Sequence, residues 1–135
     1  MGGQVLTTHR TAETYATFPE EREELIRRIG EERVRGVFIL TGDRHFTELS
    51  RLDRPSDYPL YDLTVSPLTV SPSNGERAPN TLRVPGTYVG VRNFGLIELD
   101  GPRDDRRLTI TVRDSAGEPR WSRTIAAREL LEPSE

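Results

Sequence analysis

A chain of 135 residues, 33% hydrophobic and 30% charged, supports one hydrophobic core and leaves no room for a second domain. Its net charge of −3 and isoelectric point near 5.5 exclude a protein that lives on the phosphate backbone of nucleic acid, which requires an excess of basic groups. With no cysteine there is no disulfide, thiolate metal site or cysteine nucleophile. All 19 basic residues are arginine, so lysine-based Schiff-base chemistry is excluded as well.

Residues 1–16 form a polar lead-in without periodicity. Thr17-Phe18-Pro19-Glu20 then has the spacing of a capping box with proline in the first helical turn, and Phe18, Leu25, Ile26 and Ile29 fall on one stripe at helical spacing. This predicts a surface helix packed by one face. Val37-Phe38-Ile39-Leu40 is a continuous apolar run between Gly36 and Gly42, the pattern of a strand covered on both faces. A second strand is expected over Tyr58 to Ser66. Residues 66–86 form a long Pro/Ser-rich connection, of the length that is commonly functional or mobile. The remainder reads as antiparallel β: Tyr88 to Leu99 as one strand or a bent pair with Gly90 and Gly95 as bulge candidates, then the alternating Leu108, Ile110, Val112, a hairpin turn at Ser115-Ala116-Gly117, and Arg120 to Ile125.

Polar groups able to bind a metal stand directly beyond the first apolar run, in Thr41-Gly42-Asp43-Arg44-His45-Phe46. Ligands of layered α/β sheets bind outside the carboxyl ends of strands. In an extended backbone the i, i+2 spacing places Asp43 and His45 on one side, able to reach a shared cation. The competing reading makes Asp43 a cap for a helix from about Phe46 to Leu52, with His45 bonded to a carbonyl.

The run Val37 to Leu52, with Gly42-Asp43-Arg44-His45 at its centre, and Tyr58-Pro59-Leu60-Tyr61-Asp62-Leu63-Thr64-Val65-Ser66-Pro67-Leu68-Thr69 after it, resembles the C-terminal part of PhoD-like alkaline phosphatases, members of the calcineurin-like metallophosphoesterases. Tyr15 to Glu24, Arg92-Asn93-Phe94-Gly95-Leu96 and Trp121-Ser122-Arg123 extend the resemblance over most of the chain. It implies an α+β fold: half of a metallophosphoesterase-like α/β sandwich, with a mixed sheet, a C-terminal antiparallel hairpin region and one or two helices. It further implies that Asp43 and His45 are the last ligands of a multi-metal centre, and that the activity is hydrolysis of phosphate esters by a metal-bound water. The resemblance names iron and calcium as metals, with manganese also expected. The family's upstream ligand motifs are missing from residues 1–35, and the chain has only two histidines, His9 and His45.

A half-sandwich leaves an edge or a face uncovered, so a homodimer is expected, with the site near the subunit interface; two Asp43-His45 pairs would satisfy a four-coordinate zinc ion. His9 is a further candidate ligand and Arg44 a candidate catalytic contact to phosphate, because guanidinium offers paired donors. Glu48 is a candidate base or ligand, Asp62 and Arg51 a structural pair, and Asn93 a structural anchor. The expected reaction is promiscuous phosphodiesterase- or phosphotriesterase-like hydrolysis of small activated phosphate esters. The alternative is a non-catalytic half-domain that dimerises or complements a separate N-terminal half. No stretch approaches the ~18 apolar residues of a membrane span and no export signal is evident, so the expectation is a cytoplasmic protein, free of nucleic acid and membrane, whose family relatives are usually exported.

Overall fold

A computed structural model describes residues 3–11 and 13–133. The fold is α+β. A 3-10 turn (Tyr15–Thr17) leads into helix α1 (Pro19–Glu31). Strands β1 (Phe38–Thr41), β2 (Glu48–Arg54) and β3 (Asp57–Thr64) follow, then β4 (Asn93–Asp100), β5 (Arg107–Asp114) and β6 (Pro119–Ala126), and a closing 3-10 turn (Ala127–Leu130). They form two three-stranded sheets. The first, in the order β1-β3-β2, is mixed, with β1 parallel and β2 antiparallel to β3; the second, β4-β5-β6, is antiparallel throughout. No helix among the described residues is long and apolar enough to cross a membrane.

Helix α1 begins at the expected proline but not by the expected cap. Phe18 is its N-cap and, with no polar side-chain atom, makes no cap bond; the Thr17 hydroxyl, expected to cap, donates to the Thr11 carbonyl. Nor is the whole apolar stripe buried: Ile29 is buried and Ile26 packs on the core, while Phe18 and Leu25 are exposed. The Arg22 guanidinium supplies the remaining attachment by donating to the carbonyls of Val5 and Leu6.

Residues 46–52 are not helical. Glu48–Arg54 pairs antiparallel with β3, with Leu49 opposite Leu63 and Leu52 opposite Leu60 as cross-strand apolar pairs. Strand β1, expected to be covered on both faces, is an edge strand with Leu40 59% exposed. Strand β4 starts at Asn93, not Tyr88; before it, Val89 makes only an isolated bridge to Thr47. Gly95 is no bulge, as β4 and β5 pair in unbroken register. A Cβ there would lie 3.2 Å from Val65, so the glycine lets the two sheets approach.

Pairing divides the first sheet into two unlike faces. Phe38, Tyr61 and Arg51 share one face with Leu40, Leu63 and Leu49, and this face meets Ile110, Val112 and Ile125 of the second sheet in one core cluster. The other face carries Thr41, Thr64, Glu48, Asp62 and Ser50, and residues 4–6 of the lead-in cover it. The lead-in is therefore a packed strap, with Gln4, Val5, Leu6 and Thr7 all buried.

Asp62 does not pair with Arg51. Adjacent strand residues point to opposite faces, so Arg51, opposite Tyr61, stacks on that ring and pairs with Asp53, while Asp62 faces the strap. Its carboxylate accepts the backbone N–H groups of Val5 (2.7 Å) and Leu6 (3.0 Å) and the Thr41 hydroxyl (2.9 Å). Burial nonetheless pushes the Asp62 carboxyl above its ordinary value, against the pull of these bonds and with added repulsion from Glu48. A raised folded-state value means that Asp62 contributes stability below the unfolded value and loses it as pH rises through the folded one. Asp62→Asn, whose amide oxygen can keep the two backbone donors, is expected to become progressively more stable relative to the unaltered chain as pH rises over that interval. Urea unfolding between pH 3.5 and 7.5 checks this; a constant difference between the two proteins would refute it.

Candidate functional site

Strand β1 ends at Thr41, and Gly42 opens a tight turn in which the Arg44 N–H donates to the Gly42 carbonyl (2.8 Å). Asp43 and His45 both lie in the left-handed region, with φ 65° and 57°. The backbone is thus not extended, and the i, i+2 argument for a shared side does not apply. A left-handed non-glycine residue is uncommon and costs of order 1 kcal/mol, and such residues cluster at functional sites. Two of them flank Arg44.

The turn is clasped from outside by the Pro/Ser connection. The Ser73 N–H donates to the His45 carbonyl (2.8 Å) and the Ser73 hydroxyl to the Arg44 carbonyl (2.6 Å). Phe46, 1% exposed, anchors the turn below, tilted against Tyr88 with ring centroids 5.8 Å apart. Gly75 lies flat on the Phe46 ring, where a Cβ would come within 2.2 Å of ring carbon. Gly75→Ala is accordingly expected to destabilise by about 1–3 kcal/mol, the usual cost of overpacking, as read from the urea midpoint; an unchanged midpoint would show that this clasp is not tight.

These contacts leave an open pocket of about 160 Å³ whose wall includes Glu13, Asp43, His45, Phe46, Ser73 and Asn74. Asp43 is exposed and His45 half-buried, so both are accessible from it. Arg44 also borders the pocket but is not available as a phosphate contact. Its Nη1 donates to Thr11 Oγ1 and Glu13 Oε2, both at 2.9 Å, its guanidinium carbon stands 5.3 Å from the Phe46 ring centre, and the side chain is nine-tenths buried. Arg44 therefore ties the strap to the turn. Glu13, Ser73 and Asn74 were not legible as site residues; only the Ser73-Asn74-Gly75 turn chemistry hinted at an ordered loop, and nothing local marks Glu13.

His9 is not brought to the pair. Its N–H donates to Thr7 Oγ1 (3.2 Å), its carbonyl accepts from Thr14 Oγ1 (2.8 Å), and it does not line the pocket. Glu48 is neither base nor ligand. It is fully buried and accepts from Gln4 Nε2, Asn80 Nδ2 and Arg83 Nε. Arg83 in turn donates to the carbonyls of Gly75, Glu76 and Ala78, which makes residues 75–83 an ordered wall of the pocket. Asn93 is structural as expected, accepting from Thr47 Oγ1 (2.6 Å) and donating to the carbonyls of Ser66 and Val91.

The donor chemistry of one chain does not fit a complete metal site. Among the described residues no three Asp, Glu or His side chains gather, whereas a catalytic zinc takes three protein ligands and a structural one four. Asp43 and His45 are two groups of metal-binding type, fewer than either kind of site requires. No family model, curated protein or solved structure matches the chain.

Proposed function

We propose that this chain supplies the Asp43-His45 half of a divalent-metal site, completed by a second polypeptide chain, and that the assembled protein hydrolyses small phosphate esters. The reading rests on one observation above all. Two side chains of metal-binding type are held in left-handed backbone, clasped by Ser73, at an open pocket beyond the carboxyl end of the parallel pair β1 and β3. Strain of this kind persists only where the surroundings over-determine it, and the pocket lies where parallel strands deliver ligands. The likeness to PhoD-like phosphatases over residues 37–69 supports the choice of phosphate esters.

A bound divalent ion, zinc by preference for one imidazole and one carboxylate per chain, with iron, calcium and manganese as the other candidates, would supply an acidified water and offset charge on phosphoryl oxygens. The chain's own contribution is positional. Asp43 and His45 present donors to the pocket, Arg44 holds the strap wall through Glu13, and Phe46 sets the floor. A pocket this open and shallow selects weakly, so diesters and triesters with good leaving groups are the expected substrates.

The test is elemental analysis of the purified protein, together with hydrolysis of an aryl phosphate diester and triester before and after chelation. Stoichiometric metal and chelator-sensitive turnover are expected, both lost in His45→Ala. Turnover that survives chelation would refute the reading. The second reading, a non-catalytic half-domain, is favoured by the two-ligand count alone, and metal-free protein without turnover would establish it.

A further inference from the structure

The edge of a sheet is a row of backbone donors and acceptors that a stable protein pairs, covers or protects. Strand β2 is covered: the Arg51 N–H donates to the Leu82 carbonyl (2.9 Å), and the N–H groups of Val84 and Val89 donate to the carbonyls of Leu49 and Thr47 (both 2.8 Å). Strand β1 is only four residues long. Strand β6 opens on Pro119, carries Arg120 and Arg123, and shifts register against β5 between Val112 and Arg113. Strand β4 has none of these devices. It pairs with β5 over eight residues in unbroken register, contains neither proline nor a basic residue, and leaves Leu96 44%, Ile97 39% and Leu99 71% exposed. Glu98 and Asp100 are its only charges.

The ladder with β5 fixes which backbone groups of β4 face outward. The Ser115 N–H donates to the Arg92 carbonyl (3.1 Å), so the even-numbered residues from 92 to 100 turn their backbone groups toward β5 and the odd-numbered ones turn theirs away. Accordingly the Asn93 N–H points outward and donates to the Pro67 carbonyl (2.9 Å), which fills the edge at that point. Beyond Pro67, the outward N–H and C=O groups of Gly95, Ile97 and Leu99 meet no backbone partner among the described residues. This vacant row is symmetric about Ile97.

We propose that a second copy of this chain pairs with this row, β4 antiparallel to β4 and Ile97 opposite Ile97, about a two-fold axis perpendicular to the sheet. The proposal uses no group of residues 43–45 and does not rest on the metal reading. Ile97 is set opposite Ile97, and Gly95 opposite the second copy's Leu99, so every outward N–H and C=O in the row is paired. The core-facing side is complementary in shape as well. Leu99, the most exposed apolar residue of the strand, enters the space beside a glycine, next to Val65 of the second copy, which approaches the Gly95 backbone closely. Neighbouring registers are worse: centring on Leu96 drives Leu99 against Pro67, and centring on Glu98 sets two carboxylates directly opposite. The pairing joins the two β4-β5-β6 sheets into one and consumes both vacant rows, so assembly stops at two chains.

One unfavourable contact comes with this register. The two Glu98 side chains become diagonal neighbours across the axis, so salt, which screens like charges, strengthens the dimer.

The experiment measures mass in solution and engineered cross-linking. The unaltered chain is expected to move from 15.3 kDa toward twice that mass as its concentration rises through the micromolar range, because the contact is confined to one strand per copy. Glu98→Gln is expected to tighten the dimer roughly threefold. Ile97→Pro removes an outward N–H and no bond to β5, so it is expected to keep its circular dichroism and remain a monomer. Leu99→Arg, at an exposed position, is expected to remain a monomer too. The chain has no cysteine, so Ile97→Cys is expected to form an interchain disulfide on mild oxidation, its Cα atoms standing ~5.5 Å apart across the axis. Leu99→Cys, although more exposed, is not, because its two copies are ~13 Å apart. Cross-linking of Leu99→Cys as fast as Ile97→Cys, a dimer weakened by salt, or a dimer that Ile97→Pro and Leu99→Arg both leave intact overturns the interface. An unaltered chain still monomeric at about 1 mM overturns it as well, and leaves the row to a strand of another protein.

Discussion

Arg83→Met is expected to lower the unfolding free energy by about 3 kcal/mol, the low end of the cost of stripping one partner from a buried ion pair. Glu48 is 1% exposed at its side chain and Arg83 18%, so the carboxylate left behind is out of reach of water. Gln4 and Asn80 still donate to it, which keeps the loss from being larger, but neither carries charge. Methionine preserves most of the packing volume, so the loss reports the charge and the donors. Three loop carbonyls, of Gly75, Glu76 and Ala78, lose their donor in the same step. Residues 71–79 should therefore become the first site of limited proteolysis. Urea unfolding provides the magnitude, and adding Glu48→Gln to the variant should recover part of it by removing the unpaired charge. A loss under ~1 kcal/mol would mean that the buried pair contributes little beyond what its neutral partners supply.

Asp43→Gly is expected to separate function from stability. The left-handed conformation costs a residue with a Cβ ~1–2 kcal/mol and glycine nothing, while glycine's extra freedom in the unfolded chain costs ~0.5–1 kcal/mol. The net expectation is a gain of roughly 0.5 kcal/mol with complete loss of bound metal and of ester hydrolysis. His45→Ala removes the metal equally but keeps a Cβ in the left-handed region, so it gains nothing in stability. Thermal unfolding and elemental analysis on the same preparations check both statements. If Asp43→Gly retained its metal, or lost more than ~1 kcal/mol, Asp43 would have to be read as a structural turn residue.

What could be read in advance divides by the range of the interactions concerned. The alternation of Leu108, Ile110 and Val112, the turn at Ser115-Ala116-Gly117 and the proline that starts α1 are short-range signals, and all three stand where they were expected. The turn has Gly117 at φ 85° with Asp114 Oδ1 accepting the Ala116 and Glu118 N–H groups, the chemistry those residue types suggest. Strand β2 was obscured because Glu48, Ser50 and Arg51 interrupt its apolar residues. Glu48 and Ser50 are buried, and their polar partners Gln4, Asn80 and Arg83 are 30 or more positions away. The same distance effect misassigned Asp62. Its obvious partner by charge was Arg51, but strand alternation sends the two to opposite faces and backbone N–H groups of the strap take the arginine's place.

The sequence by itself determined the start of α1, the alternation of β5 and its turn into β6, the place of Asp43 and His45 just beyond an apolar run, and the count of two histidines, because these are local or compositional and need no coordinates. Only the tertiary structure decided that the pair sits in left-handed backbone under Ser73, that Arg44 is spent on Glu13, and that His9 lies apart. It alone decided, too, that β1 is an uncovered edge. An apolar run announces that a strand seeks burial. Whether the chain supplies the covering layer depends on how the two sheets meet, and here Leu40 of β1 stays 59% exposed.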